Sequence, residues 1–380
     1  MPLLSLPPST FISTVEDLQA LCYSLAQEEQ IAVDTESNSL YVYHGRLCLI
    51  QLSSRTADYI VDPLAIDNMS ALGALMANPN VEKVFHAAEY DTLCMKRDYG
   101  IHVVNMFDTM YAARLVEGKL YGLAELLMKH YEIKPDKSHQ LDNWGKRPLA
   151  ESSLTYAQMD THYLLPLRDY YMERVQEVGA IEELREIFND ITLADPKEQV
   201  VDPDGYWKLV KPKELNKRQL AILAELFLTR ENIAEEMDVP PFKVIDNRVL
   251  VNMALQSPSN RRELGNMRGL RPEMVRIYAD DLLDAIDRGH QNKPPQPPVA
   301  QKVDQPIADR YVVLHAWRKE KAIARKLESN MIISKTTLWG IAHKVPKTIE
   351  ELSMLTGVGA WRLAAYGDEI LNVLHKKKQP

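Results

Sequence analysis

Five residues in three separated strings could do chemistry together. In IAVDTESNSL, Asp34 and Glu36 stand one residue apart after the apolar run Ile31–Val33. Successive side chains of a strand point to opposite faces, so these two carboxylates share one. Carboxylates that close repel and raise a pKa unless a cation lies between them. In VFHAAEYDTLCMKRDYGI, Asp91 falls in the first turns of a helix that follows a short strand. In LTYAQMDTHYLL, Tyr156 and Asp160 are four apart and share a helix face. Each string alone has a plainer reading: solvated turn acids at 34–38, a helix acid favoured by the N-terminal dipole at 91, and a Tyr–Asp hydrogen bond on a packing helix. Together, four carboxylates form a donor set for two hard divalent cations, Mg²⁺ or Mn²⁺, which prefer anionic oxygen. Two such ions ~3.5–4 Å apart can activate a water and stabilise the leaving oxygen of a phosphodiester. A phenol adds an uncharged group that can align that water.

The elements that must position these residues follow from periodicity. A helix is predicted over 13–30, with Thr14 as cap and Leu18, Leu21 and Leu25 at helical spacing. Strands are predicted at 31–35, 47–53 and 57–61, joined by short connections and so an antiparallel meander. There follow a helix near 68–78, a strand at 83–86, a helix near 88–99, a strand at 101–104, and the helical string FDTMYAARLV. From about residue 120 the chain reads as helices alone. That order predicts an α/β domain followed by all-α ones.

The segments 193–215 and 289–306 break the helical pattern, the second as a Pro/Gln-rich linker. The regions on either side of that linker repeat at a constant shift of 88 residues: Leu226 matches Leu314, Arg230 Arg318, Ile245 Ile333, Leu250 Leu338, Ala254 Ala342, Leu264 Leu352 and Gly269 Gly357. Apolar positions and a glycine are what two copies of one small helical fold must share. The expected domains are therefore 1–192, a connector 193–210, a first helical domain 211–288, the linker 289–306 and a second helical domain 307–380.

Composition is ordinary for a globular chain, with 46% hydrophobic and 26% charged residues. The start, MPLLSLPPST, lacks the basic and apolar regions of a signal peptide, and no apolar run reaches the ~20 residues that span a bilayer. The three cysteines show no paired spacing, which fits a reducing cytoplasm. The net charge of −8 hides an asymmetry: residues from 289 onward hold 15 Lys+Arg against 8 Asp+Glu, a net of +7, leaving −15 in front. An acidic front suits cation chemistry and a basic tail suits a polyanion; simple solubility is the alternative.

The three strings, in this order, resemble motifs I, II and III of the DEDD exonucleases, in the branch with Tyr before the last acid. The neighbouring strings FDTMYAARLV, YGLAELL and LDNWGKRPLAESSLTYAQMDTHYLL agree, and the duplicated tail resembles tandem HRDC domains. The similarity is to the ribonuclease D family and spans nearly the whole chain. It implies a ribonuclease H-like α/β exonuclease domain, a mixed sheet flanked by helices, followed by two all-α HRDC-like domains. It implies 3′→5′ hydrolysis of RNA to nucleoside 5′-monophosphates, with tRNA precursors among the substrates. By the same resemblance Asp34 bridges two metal ions, and Glu36 and Asp160 hold the ion that carries the attacking water. Asp91 supports the second ion, and Tyr156 orients the water. One site per chain is compatible with a monomer.

Other residues have two readings each. His86 either touches substrate or is a satisfied core histidine. Gln51 either reaches the site from the adjacent strand or packs. Trp144 and Arg147 either stack on a base and hold a phosphate or pin the loop before motif III. Asp108 reads as an N-cap and Asp62 as a turn residue before Pro63. In the tail, LTGVGAWRLAAYG resembles a helix-hairpin-helix whose backbone amides at Gly357 and Gly359 could hold a phosphate. The matching string MRGLRPEMVRIYA adds Arg268, Arg271 and Arg276, and basic residues cluster at Arg318–Lys326 and Lys376–Lys378. Two other functions fit parts of the pattern: a DNA exonuclease of the same chemistry, and a non-catalytic nucleic-acid scaffold.

Overall fold

Every residue of Leu47–Ser53 is buried, which requires cover on both faces of the sheet. The computed structural model shows that cover. It describes residues 6–119, 121–197, 200–211, 213–297 and 304–376. Lys377 and Lys378 of the basic cluster, part of the 193–210 connector and residues 298–303 of the linker lie outside the described residues.

Six strands form one sheet: β1 (Thr10–Ile12), β2 (Gln30–Ser37), β3 (Leu47–Ser53), β4 (Asp58–Val61), β5 (Glu82–Phe85) and β6 (Met106–Asp108), in the order β1-β4-β3-β2-β5-β6. β2, β3 and β4 are the expected antiparallel meander. β1 pairs parallel to β4, β5 to β2 and β6 to β5. Parallel neighbours need crossover connections, and the helices α1 (Val15–Leu25), α2 (Ser70–Met76) and α3 (Glu89–Tyr99) lie in them. Thr14 caps α1 as predicted, accepting from Asp17 N at 3.1 Å, but that helix ends at Leu25. β1 was not predicted, being too short for a periodic signal. The strand expected at 101–104 is absent. Ile101 and Val103 are buried from a loop, Asn105 turns the chain at φ 51°, and pairing begins only at Met106.

The helices α4 (Thr109–Glu117), α5 (Leu123–Tyr131), α6 (Glu151–His162), α7 (Leu164–Glu177) and α8 (Ile181–Thr192) complete the layers. One continuous core joins the sheet to α1, α4, α7 and α8.

The first helical copy holds α9 (Lys217–Glu236), α10 (Pro241–Val244), α11 (Asn247–Gln256), α12 (Arg261–Gly265) and α13 (Pro272–Gln291). The second holds α14 (Gln305–Arg325), α15 (Ser329–Ile332), α16 (Lys335–Lys344), α17 (Ile349–Ser353) and α18 (Ala360–His375). Each copy has its own core. The 88-residue register extends to hydrogen bonding: the buried Arg230 donates to Ile245 O and the buried Arg318 to Ile333 O, both at 3.2 Å. Arg318 is therefore a structural residue, not the surface charge its basic neighbourhood suggested.

By contacts the chain forms two units, one of Met1–Ser37, Leu47–Pro196 and Val303–Pro380, the other of Asn38–Arg46 and Lys197–Lys302. The second helical copy thus shares a unit with the sheet. Arg325 makes a two-pronged pair with Glu183 of α8, at 2.6 and 2.7 Å, and Arg114 of α4 bonds Glu328 and Asn330. In the other unit, the 38–46 loop is tied to the first copy: Tyr43 N donates to Asp238 at 3.1 Å, and Lys243 lies 3.8 Å from the Tyr41 ring centroid.

Candidate active site

Alternation along β2 puts Asp34 and Glu36 on one face, opposite Gln51 and Leu49 of β3. α6 crosses that face, packing on β2, β3 and β4. Ala157, fully buried, lets the helix come close. Three polar ties fix its rotation: Ser53 Oγ to Thr161 Oγ1 at 2.7 Å, Gln158 Nε2 to Asp58 at 2.7 Å, and His162 Nδ1 with Asp58 at 2.8 Å. Tyr156 and Asp160 are then turned toward β2, and the phenol hydrogen-bonds the Asp160 carboxylate. One carboxylate oxygen each from Asp34, Glu36 and Asp160 lie within 4.8 Å of one another.

Asp91 comes from α3. Asp108, fully buried, caps α4 through Met110 N at 2.8 Å and also accepts from Ala88 N at 2.8 Å, which ties the start of α3 to the start of α4. Asp91 is 6% exposed and accepts the hydroxyl hydrogen of Thr35, the residue between the two acids of β2. It stands outside the 4.8 Å group, yet its charge acts on the carboxyls within it.

Burial raises the pKa of all four carboxyls, and repulsion adds to it, from the other site carboxylates at Asp34, Glu36 and Asp160 and from Asp108 at Asp91. Asp34 lies well above the ordinary carboxylate range through burial, then Asp91, Asp160 and Glu36. Glu36 is pushed up to about 9 by burial, then Asp160, Asp91 and Asp142. Asp160 rises to about 7 by burial, against the lowering hydrogen bond from Tyr156. Asp91 rises to about 6 by burial, partly offset by the Thr35 hydrogen bond. Burial and the facing Asp160, Glu36 and Asp34 push the Tyr156 phenol up, so it keeps its proton at neutral pH. An all-oxygen, anionic, crowded donor set of this kind fits hard divalent cations.

The secondary candidates fare differently. Thr109 donates its hydroxyl to Phe85 O at 3.0 Å and so accepts from His86 Nδ1 at 2.9 Å. Burial pushes that imidazole down to about 4, the state of a neutral packed histidine. Trp144 is 1% exposed within a cluster that includes Cys48, Leu49 and Ala157, so its ring has no open face for a base. Arg147 pins the loop: it pairs with Asp62 through two nitrogens, each at 2.6 Å, and donates to the carbonyls of Cys48, Trp144 and Lys146. Stacking by Trp144 and phosphate holding by Arg147 are both corrected to a structural role. Arg271 bonds the carbonyls of Lys243 and Val244, which closes its own domain, while Arg268 is exposed.

The glycine turn of the second copy is also corrected. Gly357 has φ 79°, and a Cβ there would stand 2.1 Å from Thr337 Oγ1. Gly359 N donates to Glu186 Oε1, and Trp361 N to Glu186 Oε2, both at 2.9 Å. Of the two amides expected to hold a phosphate, that of Gly359 holds a carboxylate of α8 instead, together with the amide of Trp361.

Several site residues carried no sequence signal strong enough to select them. Thr35 was visible only as the residue that alternation turns away from the acid face. Asp142 accepts from His139 Nδ1 at 2.8 Å and Ser153 Oγ at 2.6 Å, and the His139 ring lies 6.3 Å from that of Tyr156. Gln51, by contrast a candidate from the sequence, lies opposite Asp34 and is fully buried, with no protein hydrogen-bond partner for its amide among the described residues.

Comparison with known proteins agrees with this architecture. Residues 9–176 match the family described as 3′-5′ exonuclease, and 219–286 and 308–374 each match the HRDC domain. An exosome complex component 10 homolog of Caenorhabditis elegans is 36% identical over 286 residues, covering 73% of this chain and 32% of that protein. The chain thus spans about a third of the length of its exosome relatives. A ribonuclease D of Acidiphilium cryptum is 28% identical over 375 residues, covering 97% of this chain and 94% of that one. The crystal structure of the catalytic core of RRP6 from Trypanosoma brucei superposes with a TM-score of 0.70 at 31% identity, covering 76% of this chain and 81% of that chain. With its carboxylate site on β2, α3 and α6 and two HRDC domains later in the sequence, the chain belongs to the ribonuclease D and RRP6 family of 3′-5′ exonucleases.

Proposed function

We propose that the protein is a metal-dependent 3′→5′ exoribonuclease that releases nucleoside 5′-monophosphates. The observation that carries this is the gathering of Asp34, Glu36 and Asp160 oxygens within 4.8 Å, with Asp91 and Tyr156 beside them. The ribonuclease D relative, matched along nearly its whole length, supports RNA as the substrate.

Two divalent cations, Mg²⁺ or Mn²⁺, supply a more acidic water and compensate charge on the leaving oxygen when bound. Asp34, Glu36 and Asp160 would hold one, and Asp34 and Asp91 the other. Tyr156 keeps its proton and orients the attacking water by hydrogen bonding. Water adds to the terminal phosphorus, the bond from phosphorus to the 3′ oxygen breaks, and the penultimate nucleotide regains a 3′ hydroxyl. The reading extends to 3′ maturation of tRNA precursors and trimming of other structured RNAs by a cytoplasmic monomer, with domains divided as the sequence predicts. Among the described residues no helix is long and apolar enough to cross a membrane.

The test is hydrolysis of labelled single-stranded RNA and matched DNA with Mg²⁺, with Mn²⁺ and with chelator. RNA should be shortened from its 3′ end only with metal, and not by Asp34→Asn or Asp160→Asn. Activity that survives chelation or either substitution sinks the two-metal site. Equal rates on DNA sink the RNA preference.

A further inference from the structure

The two helical copies share a fold but differ on one face. In the first, α9 and α11 present Leu223, Phe227 and Val251, all buried. The 3-10 turn Gly205–Leu209 packs on both helices. Its Tyr206 ring lies 6.4 Å from that of Phe227, and a Cβ on Gly205 would stand 2.9 Å from the Phe227 ring. This face is ordinary core, closed by the chain's own connector.

The 88-residue shift replaces the buried Leu223, Phe227 and Val251 by Tyr311, His315 and Trp339, and the exposed Leu255 by His343. Here Tyr311 and Trp339 are half-buried, and His315 and His343 are exposed. The Tyr311 and Trp339 rings stack, 4.0 Å apart and 10° from parallel. His315 lies 5.9 Å from Tyr311, and His343 lies 6.1 Å from Trp339. One helical turn from His315 and Trp339 stand Lys319 and Lys335, where the first copy has Glu231 and Asn247. Neither lysine takes part in an ion pair among the described residues, and α16 carries no acid.

We infer that this face of the second HRDC domain binds single-stranded RNA, with bases stacking on the Tyr311–Trp339 platform and phosphates meeting Lys319 and Lys335. The inference rests on the proposed function for its choice of RNA. Physical complementarity does the rest. Every base has a π face, so an aromatic platform takes single strands whatever their sequence. A basic rim gains from releasing the counterions of the backbone. A covered apolar face changed by substitution into aromatic rings and added positive charge is suited to a polyanion with flat apolar faces. At the glycine turn, Glu186 already holds the amides of Gly359 and Trp361.

The experiment measures affinity for a fluorescent single-stranded RNA in the full chain carrying Asp34→Asn, so that hydrolysis does not intervene. Tyr311→Ala and Trp339→Ala should each weaken binding about tenfold, and Trp339→Phe, which keeps a ring, should restore most of it. Lys319→Gln with Lys335→Gln should flatten the dependence of log affinity on log salt by about 0.7 per lost phosphate contact. Affinity unchanged in Trp339→Ala and in the double lysine variant overturns the inference and leaves the face to a protein partner. Failure of the exonuclease reading would show separately, as RNA left intact by the unsubstituted protein.

Discussion

Gly359 donates its backbone amide to the Glu186 carboxylate at 2.9 Å, a bond across 173 residues between the second HRDC domain and α8. Trp361 N adds a second amide, and Arg362, itself buried, binds Glu186 at 3.1 Å and Asp190 at 2.6 Å. The carboxylate occupies the place a phosphate would take at a helix start. Glu186→Ala should strand three amides, those of Gly359, Trp361 and Arg362, and weaken the hold on a buried guanidinium, at a cost of about 3 kcal/mol. Limited proteolysis should then cut the second HRDC domain free sooner than in the parent protein, and unchanged protection would argue against this clamp.

Thr35 holds Asp91 from the far side of β2. Partners that orient metal ligands typically change affinity or activity about 10–100-fold when removed. Thr35→Val should raise the metal concentration needed for half-maximal hydrolysis by about that factor, and Thr35→Ser, which keeps the hydroxyl, should restore it. A Val variant with an unshifted metal titration would show that Asp91 needs no such support.

Tyr156 bonds Asp160 and keeps its proton. Tyr156→Phe should lower kcat by about a hundredfold, at the lower end of the range for a positioned proton-handling side chain. Its titration with metal should stay near that of the parent, because no ligand oxygen is lost. A change confined to metal affinity would place the phenol in the metal-binding role instead.

The raised carboxyls set a pH dependence for the chelated protein. Asp91, Asp160 and Glu36 rise from ordinary values of 3.8, 3.8 and 4.5 to about 6, 7 and 9. Between those limits the folded state binds more protons than the unfolded one, so stability falls as pH rises. Without metal, Tm should therefore decrease from pH 5 to pH 8. Mg²⁺ should have its largest stabilising effect at the high end, where the carboxylates are ionised. Melting curves in chelator and in Mg²⁺ check this, and a chelated Tm that rises over the interval would contradict it.

Local periodicity made the core of the site legible before any fold was known. Alternation along a strand puts Asp34 and Glu36 on one face, and the helical repeat does the same for Tyr156 and Asp160, because these relations depend only on backbone geometry. The 88-residue repeat was legible for a related reason, since two copies of one core must place apolar residues at matching positions. The tertiary structure alone decided which distant groups would meet. Arg147 finds Asp62, 85 residues away, and Trp144 turns inward. Glu186 fills the turn at Gly359, and the second helical copy joins the unit of the sheet rather than that of its own duplicate. A buried ring, a satisfied guanidinium and an occupied amide nest look the same in sequence as free ones. The difference lies in burial and partner choice, which are properties of packing across the whole chain.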